Sequence, residues 1–197
     1  MADQSKFEIG TKINVVGTTG MVKTTLASTI AEILNIEHVE MDSLFWGENW
    51  TQPTQKEFLP IVNEALRGET WVIDGNYSFT RHIIWEKVDS VIFLDYPKFI
   101  AIWRVTIRSI RRIITKEKIW GKNYESFKGA FFGKNSLIKW LLTTYNRRRR
   151  QYYDFIESDE FAYINFVIFK NPRQTNKWLR GLTDHSKNRD WRQNEDI

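Results

Sequence analysis

Short apolar runs rich in β-branched residues alternate along this chain with longer segments in which apolar positions recur every three or four residues. That alternation predicts βα units wound around a parallel sheet, hence an α/β fold with a five-stranded parallel sheet flanked by helices. Strands are predicted at residues 13–16, 37–41, 71–74, 90–95 and 166–169, each short and mostly apolar, as suits strands buried on both faces. Leu26, Ile30, Ile33 and Leu34 share one stripe of a helix that starts near Lys23. Thr54 and Glu57 have capping-box spacing ahead of Phe58, Ile61, Val62, Ala65 and Leu66, although Pro60 inside that run argues against a helix there. Pro97 suits the first turn of a long helix reaching about residue 114. Residues 115–135, rich in Gly, Lys and aromatics, show no period and read as an insertion or lid, after which a helix resumes through Trp140, Leu141 and Tyr145. Asn171, Pro172 and Gly181 bracket a short final helix, and residues 183–197 read as a polar, frayed tail.

A chain of 197 residues holds one such core, predicted to span residues 8–182, and is too short for two ordinary domains. With 42% apolar and 27% charged residues it falls in the globular range, which excludes disordered and fibrous classes. The absence of cysteine removes disulfides, thiolate nucleophiles and thiolate metal sites. Lys and Arg total 29 against 24 acidic residues, so the net charge of +5 favours anionic partners: nucleotide, nucleic acid or an anionic surface. The opening MADQSKFEIGTK lacks a secretory apolar region, and no apolar stretch reaches the roughly 20 residues that span a bilayer. The expectation is a soluble, cytoplasmic protein without a membrane partner.

The densest local chemistry is Gly17-Thr18-Thr19-Gly20-Met21-Val22-Lys23-Thr24, between a predicted strand and a predicted helix. It nearly spells a Walker A loop, in which backbone N–H groups and a helix N-terminus cradle phosphates, the lysine meets the β- and γ-phosphates, and the hydroxyl binds Mg²⁺. Val22 stands where the motif has its second glycine, and the alternative reading is an ordinary strand-to-helix turn with a surface lysine. Valine there predicts a loss of nucleotide affinity of about 1–3 kcal/mol with little change in stability. Asp74 ends an apolar strand where ligands of open α/β sheets bind, so it either holds Mg²⁺ or forms a tight turn with Gly75. Asp95 likewise ends a strand and is the better candidate for capping the helix that follows. Asp42 follows the second strand at an acceptor-side position, with Trp46 and Trp50 close behind, either to stack on a base or to pack. Arg104, Arg108, Arg111 and Arg112 form one basic group and residues 147–150 another, either solvated faces or guanidinium groups for a phosphoryl site. The three histidines are scattered and show no metal-site spacing.

From about Lys12 to Leu182 the order of these features resembles adenylate kinase and its relatives, in particular the small bacterial kinases known as DNA topology modulation proteins. The resemblance rests on the near-Walker loop, HVEMDSLFWGENW, WVIDGNYS, VIFLDYP followed by arginines four apart, NRRRRQYY, and FVIFKNPRQTNKWL. It implies an ATP and Mg²⁺ site at residues 17–25, including Thr25, with the metal oriented by Thr24 and Asp74. It further implies nucleotide contacts from Arg104 and Arg108, a mobile lid over about residues 112–147, and Arg147 or Arg148 near the transferred phosphoryl group. Lys170, Asn171 and Pro172 would lie beside the base, and Asp42, Trp46, Asn76 and Arg81 would meet the acceptor. Asp74-Gly75-Asn76-Tyr77-Ser78 departs from the Asp-Gly-Phe-Pro-Arg string of adenylate kinases, so AMP is not the implied acceptor. These features together predict a phosphotransferase acting on a nucleotide or other small acceptor. The alternative is a catalytically weakened nucleotide-binding protein of the same fold, associated with nucleic acid.

Overall fold

The structure, a computed structural model, describes residues 9–132 and 136–195, with side chains described up to residue 187. Five parallel strands form the sheet: β1 (Lys12–Gly17), β2 (Glu37–Glu40), β3 (Trp71–Asp74), β4 (Ser90–Leu94) and β7 (Asn165–Phe169), in the order β2-β3-β1-β4-β7. Each predicted strand is present to within one residue at either end. The central β1 pairs with β3 on one side and β4 on the other, with Val15 opposite Asp74 and Gly17 opposite Leu94. The chain therefore reverses its winding at β1, and the carboxyl ends of β1, β3 and β4 open into the crevice where such sheets bind ligands.

Alternating strand residues feed two cores, one on each face of the sheet. Val15, Val72 and Ile92 face α1 (Lys23–Leu34), where they meet Leu26 and Ile30, together with Ala101, Val105 and Trp178. Val16, Ile73 and Phe93 face the other way, toward Phe58, Val62, Trp85 and Tyr152. Between β2 and β3 lie α2 (Met41–Phe45) and α3 (Gln55–Ala65), and α4 (Arg81–Trp85) precedes β4. Thr54 and Glu57 make both halves of the capping box at the start of α3. Pro60 lies within α3, contrary to its weight against a helix, because it and Lys56, whose carbonyl it leaves unpaired, are exposed to water.

The insertion follows α5 (Lys98–Thr115): a two-stranded antiparallel hairpin of β5 (Lys118–Ile119) and β6 (Asn123–Tyr124), then α6 (Phe127–Phe131) and α7 (Leu137–Ile156). The last helix, α8 (Pro172–Glu195), does not stop at Gly181. Trp178 and Leu182 are buried, and Ser186 Oγ donates to Ile33 O at 3.0 Å, so packing on α1 carries the helix through the glycine and into the segment expected to fray. Asp95 does not cap α5. Its carboxylate takes both Arg149 Nε, at 2.6 Å, and Arg149 Nη2, at 3.0 Å, and also accepts from Tyr153 at 2.7 Å, which fastens α7 to the end of β4. Among the described residues no helix is long and apolar enough to cross a membrane.

Candidate functional site

Residues 17–22 turn from the end of β1 into α1 over the carboxyl edge of the sheet. Gly20 has φ 80°, and a Cβ there would lie 2.5 Å from Ala101 O, so only glycine lets α5 pack this closely on the loop. Val22 has φ 54° and ψ 36°, the left-handed conformation, in which a β-branched residue is an outlier. The backbone at this position is thus the one glycine adopts freely. The first intrahelical bond of α1 runs from Leu26 N–H to Val22 O, leaving the amides of Lys23, Thr24 and Thr25 without intrahelical acceptors at the positive end of the helix. That arrangement binds anions.

Thr24 Oγ1 donates to Asp74 Oδ2 at 2.5 Å, joining α1 to the end of the neighbouring strand. His38 Nε2 lies 3.2 Å from the other carboxylate oxygen, so Asp74 is held from both sides. Burial holds the Lys23 ammonium below the ordinary lysine range, against the upward pull of Asp42 and Asp74, while Arg108 and Arg148 add to the depression. Lys23, two carboxylates and two guanidinium groups therefore converge, although they come from five different elements. Burial also keeps Glu40 above the usual carboxylate range, even though Trp120 Nε1 donates to it at 2.9 Å. Tyr77 is half-buried and donates to Asp42 at 2.6 Å; burial first, and then this carboxylate, push its pKa up.

Except for His38 and the buried Asp74, which Thr24 joins to it, these groups line an open cleft of about 1410 Å³. Of the predicted residues, it gathers Gly17, Thr19, Gly20, Val22, Lys23, Thr24 and Thr25 from the loop and helix, Asp42, Trp46 and Asn76 from the acceptor side, and Arg104, Arg108 and Arg148 opposite. Thr18 and Met21, in the same loop, are buried and do not line the cleft. Three predicted residues stand apart. Arg147 is exposed on α7, because one residue of helix turns it about 100° away from Arg148. The Arg81 guanidinium lies 4.3 Å above the Phe155 ring and 5.5 Å from Trp85, on the aromatic core rather than the cleft. Asn171 caps α8, its Oδ1 accepting from Gln174 N–H at 3.0 Å. Arg111, expected beside Arg104 and Arg108, is exposed and paired with Glu117; Arg112 takes its place along the cleft.

The arginine wall shows unused donor capacity. Among the described residues, Arg104 Nη1, Arg108 Nε and Asn76 Nδ2 are buried without hydrogen-bond partners. Buried donors of this kind are costly unless a ligand or water meets them, and guanidinium groups select phosphate or carboxylate. Replacing Arg104 or Arg108 by alanine is expected to weaken nucleotide binding about tenfold while leaving the melting temperature unchanged. Lower thermal stability at unchanged affinity would show that the two arginines serve packing.

The far end of the cleft is walled by aromatics. Trp46 and Trp120 both make edge contacts with Trp50, at 5.5 and 6.1 Å between ring centroids. The β5–β6 hairpin is tied to the loop after α2. Trp50 N–H donates to Asn123 Oδ1 at 2.8 Å, Trp50 Nε1 to Tyr124 O at 3.2 Å, and Asn123 Nδ2 to Gly47 O at 2.9 Å.

Val22 also sits differently in the energetics than the sequence implies. The loop already holds the left-handed conformation, so the strain is a cost of the fold and not one that binding must supply. The Val22→Gly protein is expected to gain about 0.5–1 kcal/mol, the relief of roughly 1–2 kcal/mol of strain less the added freedom of the unfolded chain. Thermal denaturation should show a rise of about 1–4 °C. Affinity for ATP should change less than about fivefold, through loss of the isopropyl group alone. A lowered melting temperature would show that valine is better accommodated here than its φ implies.

No family model matches the chain. It is 23% identical over 120 residues to the uncharacterized protein YqaC of Bacillus subtilis strain 168, a match covering 59% of this chain and 66% of that protein, just under two thirds of its length. Among solved structures, a gluconokinase from Sinorhizobium meliloti 1021 is similar over 94% of this chain and 98% of its own, with TM-score 0.51 and 18% identity. A shikimate kinase from Bacteroides thetaiotaomicron is similar over 89% and 97%, with TM-score 0.53 and 16% identity. The chain thus has the fold of P-loop kinases. These likenesses do not reach the DNA topology modulation group.

Proposed function

We propose that the protein is a phosphotransferase that moves the γ-phosphoryl group of ATP onto a small acceptor, within one domain whose insertion covers the cleft. The observation that carries this reading is the 2.5 Å bond between Thr24 and Asp74 beside Lys23, at the N-terminus of the helix that follows the phosphate-type loop. An adjacent hydroxyl and buried carboxylate form an all-oxygen donor pair suited to Mg²⁺, which prefers oxygen ligands and keeps several waters. When bound there, Mg²⁺ neutralises phosphate oxygens and charge developing on the leaving group.

The chain's own residues supply the rest. Loop amides and Lys23 hold the β- and γ-phosphates, and Arg104, Arg108 and Arg148 face the equatorial oxygens, where charge spreads during transfer. Asp42, fixed by Tyr77, accepts a hydrogen bond from the acceptor hydroxyl and orients its oxygen. The acceptor oxygen forms the new bond to phosphorus, its proton passing to the Asp42 carboxylate, as the bond to the β,γ-bridging oxygen breaks and that electron pair leaves with ADP. Trp46 and Asn76 border the acceptor space. The two fold neighbours are named for gluconate and shikimate, which favours a small-molecule acceptor over a nucleotide.

An ATP-consumption screen over hydroxylated acids, sugars, nucleosides and nucleoside monophosphates tests this reading. Turnover with one acceptor class supports it. ATP binding without turnover on any acceptor would favour the weakened nucleotide-binding protein, and no ATP binding would overturn both.

A further inference from the structure

The arginines that line the cleft occupy one side of α5; a neighbouring side of the same helix is apolar and open, bordering the cleft at Trp103 and Ile107 and lying outside it at Phe99, Ile110 and Ile114. Phe99, Trp103, Ile107, Ile110 and Ile114 fall within an arc of about 80° and run about 22 Å along the axis. Phe99, Trp103 and Ile114 are 69%, 67% and 75% exposed. Only the small residues Ala101, Val105 and Ser109 are fully buried from this helix. Packed against α5, α6 and the residue that caps it add exposed Phe127 and Phe132. Exposed lysines follow the end of this helix: Lys116, which caps it, then Lys118, Lys122 and Lys128 in the hairpin and α6. Residues 98–150 carry 15 Lys and Arg against 2 acidic residues, an excess of 13 positive charges in a chain whose net charge is +5. The remainder of the chain is therefore acidic, with a net charge of −8.

We propose that the outer face of α5, with α6 beside it, is a docking surface for an anionic lipid bilayer, on which the protein lies without crossing it. The arrangement is that of an interfacial helix: an apolar stripe with tryptophan and phenylalanine on it and exposed cations gathered after its end. Charge complementarity selects an anionic surface, since each lysine near such a membrane adds attraction that salt screens. A second copy of the chain is disfavoured, because pairing this face with itself brings two strongly cationic segments together. Single-stranded nucleic acid fits less well, because Ile107, Ile110 and Ile114 have no ring on which a base stacks. The inference does not depend on phosphotransfer.

Flotation with vesicles of equimolar phosphatidylglycerol and phosphatidylcholine, against vesicles of phosphatidylcholine alone, tests it. The protein should float with the anionic vesicles at low salt, stay behind with the neutral ones, and detach as salt rises. Phe99→Ser with Ile114→Ser should weaken binding at least about tenfold, since both side chains lie outside the cleft and insert into the lipid. Lys116→Glu with Lys128→Glu should do the same through charge alone, and it carries the test should the serine pair melt at lower temperature. No flotation with anionic vesicles overturns the proposal, as does flotation that neither pair of substitutions weakens. Binding of a single-stranded oligonucleotide that is lost in the same variants, without vesicle binding, would assign the face to nucleic acid. A stable dimer with Phe99 and Ile114 occluded would assign it to self-association.

Discussion

A folded Lys23→Ala protein is expected to lose ATP binding and turnover by at least about a hundredfold, the scale of losing one preorganised donor to developing negative charge. The reason is positional. Lys23 sits at the start of α1, its Nζ 3.4 Å from Thr18 O, within the electrostatic reach of Asp42, Asp74, Arg108 and Arg148. Because burial already disfavours its charged form, removing the ammonium should not lower thermal stability, and loss of function will not be loss of fold. Calorimetric titration of ATP and a coupled turnover assay check the two halves. Unchanged affinity and turnover in the folded variant would sink the phosphate-loop assignment.

The second large effect is expected from Asp74→Asn, which keeps size and shape. The amide oxygen still accepts from Thr24 Oγ1, so the tie between α1 and β3 survives, but the negative charge that would orient Mg²⁺ and its waters is gone. Turnover should fall about 10²- to 10³-fold, with a raised Mg²⁺ requirement and little change in ATP affinity measured without metal. Thermal stability should hold or rise, since a buried carboxylate is removed from beside Glu40 and Asp42. Turnover within a few-fold of the parent would show that Asp74 serves the turn before Gly75 rather than the metal.

The five strands were legible because each is a run of apolar residues buried on both faces, a pattern that few other structures produce. The phosphate loop was legible for a related reason: its chemistry lies in consecutive residues. What escaped is what depends on distance. His38 beside Asp74, Tyr77 on Asp42 and Trp120 on Glu40 join residues 35 to 80 positions apart, and no local spacing announces them. The arginines show how narrow the limit is. A repeat of four puts Arg104, Arg108 and Arg112 along the cleft, whereas Arg111 and Arg147 each lie one residue off that line and face water. Pro60 and Gly181 failed as stop signals because local propensity is outweighed by what surrounds it: open water at Lys56 in one case, a buried Trp178 and Leu182 in the other.

The hydrogen bonds between the β5–β6 hairpin and the loop after α2 make the insertion something other than a flap. A flap has one hinge and a free edge. Here the far edge is moored, so the insertion is a span resting on two piers, and any lifting of it requires Trp50, Asn123 and Trp120 to release their partners together. The amide of Trp50, bonded to Asn123 Oδ1, is then a gauge of that event: its hydrogen-exchange rate counts how often the span leaves its pier.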